Sequence, residues 1–365
     1  ERCQPRIGRP PCREPRRVAR DPRPGTGGLA AAAQHRLSVR PEAPAYDPAM
    51  TDDASAPPPA PGDDHRRPVL ASPADGGDEL VRLGVVSFVN TLPLVHGLDG
   101  CEDLDVRPSV PSLLLERLLA GEADVALCSS IDYQRAPGPL VILPVGRLGC
   151  DGPTLTVRLY SQRPIGAIDV VHCDTDSHTS VALLRILLQE QFGIAPRLID
   201  YHAREHVAEA RPVDWPDAML LIGDKVVTDS PPAVRYPHQL DLGAAWRELT
   251  GLPFTFAAWV ARAGADPARL DVAAAVLDRQ RRKNRPLLDR LIHDRVVPRG
   301  WPADLAREYL GERLRYEWDE AAAEGLRRFW ELAAGHGLIE EVRPLRVHRM
   351  AAVPRLGPAN ATSAG

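Results

Sequence analysis

Apolar and polar positions alternate between two periods over the middle of this chain, and the ends show neither period. Val81-Arg82-Leu83-Gly84-Val85-Val86 is a short apolar run of strand type that breaks at Ser87 to Pro93. Asp105 to Pro108 predicts a second strand, and Ser112 to Leu119 a helix with one apolar face, stopped by Gly121. Asp124 to Cys128 predicts a third strand, ending in Ser129-Ser130-Ile131-Asp132-Tyr133, and Thr154 to Tyr160 a fourth. The pattern then restarts. Ile168 to Cys173 reads as a strand, and Asp174 to Ser180 as a polar turn. Val181 to Gln191 reads as a helix with Leu183, Leu184, Leu187 and Leu188 on its apolar side, closed near Gly193. Ala218 to Ile222 is a buried strand that breaks at Gly223-Asp224. From Asp266 the spacing is helical, over Pro267–Lys283, Ala303–Leu310 and Asp319–Leu332, with Asp266 as N-cap and Pro267 at the first helical position.

Strands alternating with helices predict an α/β fold with a mostly parallel sheet covered on both faces. Two successive blocks of this kind predict two lobes. The first is residues 80–157 plus 252–342 and the second 158–251. Residues 1–79 hold 15 of the 37 prolines and almost no periodic apolar pattern, so they cannot bury enough surface to offset chain entropy. They are expected to be disordered, as is the tail 343–365. The sequence begins at Glu1, and 1–49 reads either as lying upstream of an initiator at Met50 or as a basic arm before an acidic linker.

Composition narrows the function. Hydrophobic content is 44% and charged content 26%, ordinary for a globular protein, and the net charge of −4 argues against nucleic acid or an anionic membrane as partner. The six cysteines form no CxxC pair, so zinc and thioredoxin-like chemistry are not expected. There is no run of about 18 apolar residues for a membrane span, and no signal pattern at the N-terminus; the expected location is the cytoplasm. GxxxxGK[ST], HExxH and GxSxG are all missing, and the expectation is no metal and no cofactor.

In open α/β sheets ligands sit beyond the carboxyl ends of the strands. Four polar loops follow predicted strands and form the candidate site: Ser87 to Thr91, Ser129 to Tyr133, Asp174 to Ser180, and Gly223-Asp224. They offer hydroxyls, an amide and a phenol. Each also has a plainer reading. Asn90-Thr91-Leu92-Pro93 fits a helix start, Ser129-Ser130 a cap, and Asp174 to Ser180 an N-cap whose aspartates complement the helix dipole. In the functional reading, free N–H groups at that helix start join Ser177, Thr179 and Ser180 in binding a carboxylate, with the aspartates counting against it. His178 reads as a solvated loop residue.

The ordered blocks resemble the chorismate dehydratases of the futalosine route to menaquinone. Leu83-Gly84-Val85-Val86-Ser87-Phe88-Val89-Asn90-Thr91-Leu92-Pro93-Leu94 is similar to that family's opening. Gly121 to Val125, Ser129 to Tyr133, Ser177 to Leu184, Leu221 to Asp224, Asp241 to Gly243 with Trp246, Thr250 to Phe254 with Phe256, Ala257 and Trp259, Tyr309-Leu310 and Glu324 to Leu326 continue the likeness in order. The resemblance covers about residues 81–338. It implies a two-lobed fold of the type II periplasmic-binding-protein kind with a cleft between the lobes. It also implies cofactor-free loss of water from chorismate, a dicarboxylate, to give 3-[(1-carboxyvinyl)oxy]benzoate. On that basis Asn90 is the expected catalytic residue. Ser87, Thr91, Ser129, Ser130, Tyr133, Ser177, Thr179, Ser180, Gly223 and Asp224 are the expected substrate contacts. Alternatives are a non-catalytic solute-binding protein, against which the missing signal pattern counts, and the sister enzyme that releases a dihydroxynaphthoate, whose Ser-Pro-Cys-Pro-type opening loop differs from Ser87 to Thr91. A regulator's sensing domain would need a helix-turn-helix that residues 1–79 do not provide.

Overall fold

Residues 80–86, 88–202 and 215–350 are described by the computed structural model, all within the unit Pro73–Gly365. The expected disorder of 1–79 and most of the expected tail fall outside these residues, as does Ser87.

Eleven strands are found among the described residues: β1 (Val81–Val86), β2 (Leu104–Ser109), β3 (Val125–Ser129), β4 (Leu140–Cys150), β5 (Val157–Ser161), β6 (Val170–Asp174), β7 (Arg197–Tyr201), β8 (Ala218–Ile222), β9 (His238–Asp241), β10 (Phe254–Arg262) and β11 (Leu314–Arg315). They form two sheets, ordered β11-β4-β10-β3-β1-β2 and β7-β6-β8-β5-β9. Each sheet has a parallel trio, β2-β1-β3 in the first and β7-β6-β8 in the second. All other strand pairs are antiparallel, which corrects the mostly parallel sheet expected from the alternation. The reason is topological. The chain passes from β4 in the first sheet to β5 in the second and returns from β9 to β10, and a strand arriving from the other sheet runs against the trio it joins.

Hydrophobic pattern explains which faces are covered. Helix His178–Phe192 buries Leu183, Leu184, Leu187 and Leu188, the four leucines on its predicted apolar side. At Gly193 the backbone is left-handed, with φ +64°, which only glycine adopts without cost. Helix Glu320–Gly335 sends Phe329 and Trp330 into the same core. There Phe254 meets Trp246, Phe256 and Phe329 edge-on, with ring centroids 4.7–5.2 Å apart. A second cluster on the other face of the first sheet joins β1, β3 and β4 to helix Pro267–Asn284 and to Trp301 and Tyr309.

Two differences from the sequence reading affect the site. The strand expected over 154–160 begins at Val157, and residues 151–156 form the passage between the sheets. Here Leu155 has φ +67°, which costs a non-glycine residue about 1–2 kcal/mol. The Asp241 carboxylate offsets that cost: it accepts from the N–H groups of Thr154 (2.9 Å) and Leu155 (2.8 Å), and from those of Gly243 and Ala244, whose helix it caps. Residues 343–350, expected to begin a disordered tail, instead lie along β4. Val347 bridges Ile142 in parallel, and His348 Nε2 is 2.7 Å from Asp271.

Candidate active-site cleft

A cleft of about 570 Å³, counted out to its mouth, lies where loops of both sheets meet. Its polar lining is Asn90, Thr91, Ser129, Thr154, Thr156, Ser177, Ser180 and Tyr309; Val86, Phe88, Leu127 and Phe256 supply apolar wall, and Gly223 borders it. The described lining holds no carboxylate, imidazole, thiol, ammonium or guanidinium group.

Asn90 enters from the short helical turn Val89–Thr91 that ends β1. Its backbone carbonyl accepts from the Tyr316 hydroxyl at 3.2 Å, which fixes the turn. Its side-chain Oδ1 is buried and has no hydrogen-bond partner. A buried acceptor left this way costs about 1–3 kcal/mol, and such groups are kept where a ligand completes them. The neighbouring Thr91 hydroxyl is shared between the carbonyls of Val86 (2.7 Å) and Phe88 (2.9 Å), so it braces the turn.

Ser177 caps helix His178–Phe192. Its Oγ accepts the Ser180 N–H at 3.2 Å and lies 2.9 Å from the Ser180 hydroxyl, so both serines sit at the helix start on the cleft wall. This end suits negative charge through its free N–H groups and dipole. The two aspartates before it are paired with one ammonium. Asp174 and Asp176 are both clamped by Lys225, at 2.5 and 2.9 Å. Burial pushes the Asp174 carboxyl above its usual range, and the Lys225 ammonium opposes that rise.

Four expected contacts are placed elsewhere. Ser130 donates to the Thr255 carbonyl at 2.7 Å. Thr179 accepts from the Ile131 N–H at 3.2 Å and lies 3.4 Å from Ser130 Oγ. The Tyr133 ring stacks on Trp330 at 4.9 Å, and its hydroxyl donates to Pro344 O and accepts from Arg346 N–H. The Asp224 carboxylate accepts from the Val89 N–H at 3.3 Å. These side chains are outside the cleft lining. Three of them tie loops of one sheet to loops of the other, and a fourth tie joins them: His178 Nδ1 lies 2.9 Å from Asp132 Oδ1. The hydrogen bond to Asp132 raises the His178 pKa above its ordinary value, so His178 is a bridging residue here and not a free loop side chain. Gly223 keeps its place at the cleft with φ +71°, its N–H donating to Thr156 O.

Sequence reasoning missed Thr154, Thr156, Phe88, Phe256 and Tyr309 as cleft residues. The two threonines lie in what reads as a strand, and Tyr309 in what reads as one more apolar helical position. Tyr309 is 1% exposed, stacks on Trp301 at 5.2 Å, and places its hydroxyl 2.5 Å from Thr156 Oγ1.

Comparison with known proteins agrees with this geometry. A family model described as menaquinone biosynthesis matches residues 81–335. The chorismate dehydratase of Thermus thermophilus is 32% identical over 263 residues, which cover 68% of this chain and 93% of that protein. Among solved structures, a protein of Archaeoglobus fulgidus superposes with a TM-score of 0.53 at 14% identity, covering 73% of this chain and all (100%) of that one. The periplasmic aliphatic sulphonate binding protein of Escherichia coli gives 0.50 at 18% identity, over 72% of this chain and 94% of that one. A Candida albicans protein described as having the generic periplasmic binding protein fold gives 0.52 at 12%, over 73% and 92%. At these identities the structures speak for the fold alone, two lobes of the periplasmic-binding-protein kind with a cleft between them. The match along residues 81–335, with the Thermus relative, shows that the chain belongs to the menaquinone biosynthesis family.

Proposed function

We propose that this protein is a chorismate dehydratase, a hydro-lyase that converts chorismate to 3-[(1-carboxyvinyl)oxy]benzoate and water without a cofactor. The relative with that name is matched over 93% of its length. The observation that carries the reading within the site is Asn90 Oδ1, a buried acceptor lacking a partner. Dianionic chorismate has one hydrogen-bond donor, the C4 hydroxyl, and that is the group to be lost. Asn90 accepts from it and fixes the C4–O bond for departure. One carboxylate is held by Ser177, Ser180 and the start of helix His178–Phe192. The other lies toward Ser129 on the opposite wall.

The described lining contains no ordinary base. In the proposed mechanism the substrate's own side-chain carboxylate takes the C3 proton, and the protein contributes positioning and electrostatics. Aromatisation of the ring drives the step. The lobes proposed here, 80–157 plus 252–342 and 158–251, close over the substrate and exclude water. The contacts His178–Asp132, Ile131–Thr179 and Val89–Asp224 act as clasps.

The test is to incubate the purified protein with chorismate and follow product by chromatography and mass. Conversion is expected without added cofactor, and Asn90→Ala is expected to lose about 100-fold or more in kcat with an unchanged melting temperature. Chorismate binding with no conversion by the parent protein would refute the enzyme reading. Full turnover in Asn90→Ala would refute the assigned role.

A further inference from the structure

We infer that Tyr309 is a second catalytic residue, donating its phenolic hydrogen to the C4 oxygen of the substrate as that oxygen leaves. The inference rests on the dehydratase reading above but concerns a residue that reading does not use.

The geometry comes first. Tyr309 lines the same cleft as Asn90. Its hydroxyl is 2.5 Å from Thr156 Oγ1, and Thr156 stands on the passage between the sheets and lines the cleft too. Either oxygen of this pair can be the donor. With Thr156 donating, the phenol oxygen accepts, and its own hydrogen is left to point at a ligand. The Asn90 amide oxygen, in the same cleft, is without a partner and open to the C4 hydroxyl.

The packing fits the same role. Trp301 stacks on the Tyr309 ring at 18° to its plane, and the ring is fully buried, which restricts the phenol to this position. Burial raises the pKa of the phenol, while Thr156 and Asn90 pull in the opposite direction. The group thus stays protonated at neutral pH, yet the Thr156 hydroxyl is in place to stabilise the phenolate. It remains a stronger acid than water, and that is what counts when the alternative leaving group is hydroxide.

The step balances. The C3–H bond breaks, its electron pair becomes the C3=C4 π bond, and the C4–O bond breaks. The C3 proton goes to the substrate's side-chain carboxylate. The departing oxygen takes the phenolic hydrogen and leaves as water. The carboxylic acid then returns its proton to the Tyr309 oxygen, and both groups are restored.

The experiment compares the parent protein with Tyr309→Phe, Thr156→Val and the double variant, measuring kcat and KM for chorismate and the affinity for the product. The product lacks the C4 oxygen, so its binding does not involve the phenolic hydrogen. Expected results are a loss of about 100-fold or more in kcat for Tyr309→Phe, KM and product affinity within about threefold of the parent, and a smaller kcat loss for Thr156→Val. Because Thr156 acts through Tyr309, the double variant should be no slower than Tyr309→Phe alone. If the parent turns over and Tyr309→Phe keeps kcat within threefold, the inference is overturned and the dehydratase reading stands. Parallel losses in kcat and product affinity would assign Tyr309 a structural role and also overturn it. If Tyr309→Phe does not fold, Thr156→Val decides: an undiminished kcat overturns the inference. A parent protein that makes no product removes the dehydratase reading and this inference with it.

Discussion

Replacing Asp241 by Ala should weaken the fold by about 3 kcal/mol and disturb the cleft at the same time. The carboxylate accepts four backbone N–H groups, those of Thr154, Leu155, Gly243 and Ala244, at 2.8–3.1 Å. Loss of the helix cap accounts for about 1 kcal/mol. The N–H groups of Thr154 and Leu155 lose a charged acceptor, at about 1.5 kcal/mol each. Thr154 is 1% exposed, so water cannot replace that acceptor. Release of Leu155 from its left-handed conformation returns about 1 kcal/mol. The net of about 3 kcal/mol is a little over two decades in the folding constant. Asp241→Asn is the sharper control. Oδ1 alone serves three of the four N–H groups, so this variant should lose only about 1 kcal/mol, chiefly at Leu155. Urea unfolding with constant m-value measures both. Since Thr154 and Thr156 flank Leu155 on the cleft wall, kcat/KM should fall in Asp241→Ala under native conditions. A loss below 1 kcal/mol in the alanine variant, or equal losses in both variants, would refute the account of this carboxylate as the latch of the passage.

The other predictions use different parts of the molecule. His178 has a raised pKa from its bond to Asp132, so the bridge contributes fully below the unfolded histidine value of about 6.5 and is lost as pH rises through the higher folded value. Stability should therefore fall as pH rises above about 6.5, by under about 1 kcal/mol because His178 is partly exposed, and be read as a falling melting temperature; His178→Gln should flatten that slope, and an unaltered slope in the variant would count against the bridge. Gly325 lies on helix Glu320–Gly335 where an added Cβ would stand 2.1 Å from the Pro253 carbonyl oxygen. Gly325→Ala should destabilise by about 1–3 kcal/mol although alanine is the better helix former, and a stabilised variant would show that the backbone there yields easily. The losses expected for Asn90→Ala and Tyr309→Phe complete the set.

Elements with a local signature were legible in the sequence. Asp266 caps its helix through Ala268 N–H, and Gly121 (φ +75°) and Gly193 are left-handed, because caps and stops depend on neighbours in sequence. β4 was not legible: Pro144, Gly146 and Gly149 interrupt its apolar run, and it is a strand because β10 and β11 pair with it from more than a hundred residues away. β10 is buried on both faces and shows no alternation. The same division holds at the cleft. Asn90, Ser129, Ser177, Ser180 and Gly223 follow strands directly, where strand-end reasoning looks. Ser130, Tyr133, Thr179 and Asp224 look identical in sequence. Their partners Thr255, Pro344, Ile131 and Val89 are 48 to 211 positions away, and only the fold reveals them.

The double passage of the chain between sheets also sets an order for assembly during synthesis. β10 sits between β3 and β4, so two strands adjacent in the chain cannot take their final partners until residues 254–262 have emerged. The second sheet, Val157 to Asp241, is complete by then. A nascent chain thus holds β3 and β4 with open edges while about a hundred residues are added, an interval of roughly 5–20 seconds at ordinary synthesis rates. Those edges, Val125–Ser129 and Leu140–Cys150, are buried and apolar in the finished protein, and during that interval they are the surfaces most in need of protection from a neighbouring chain.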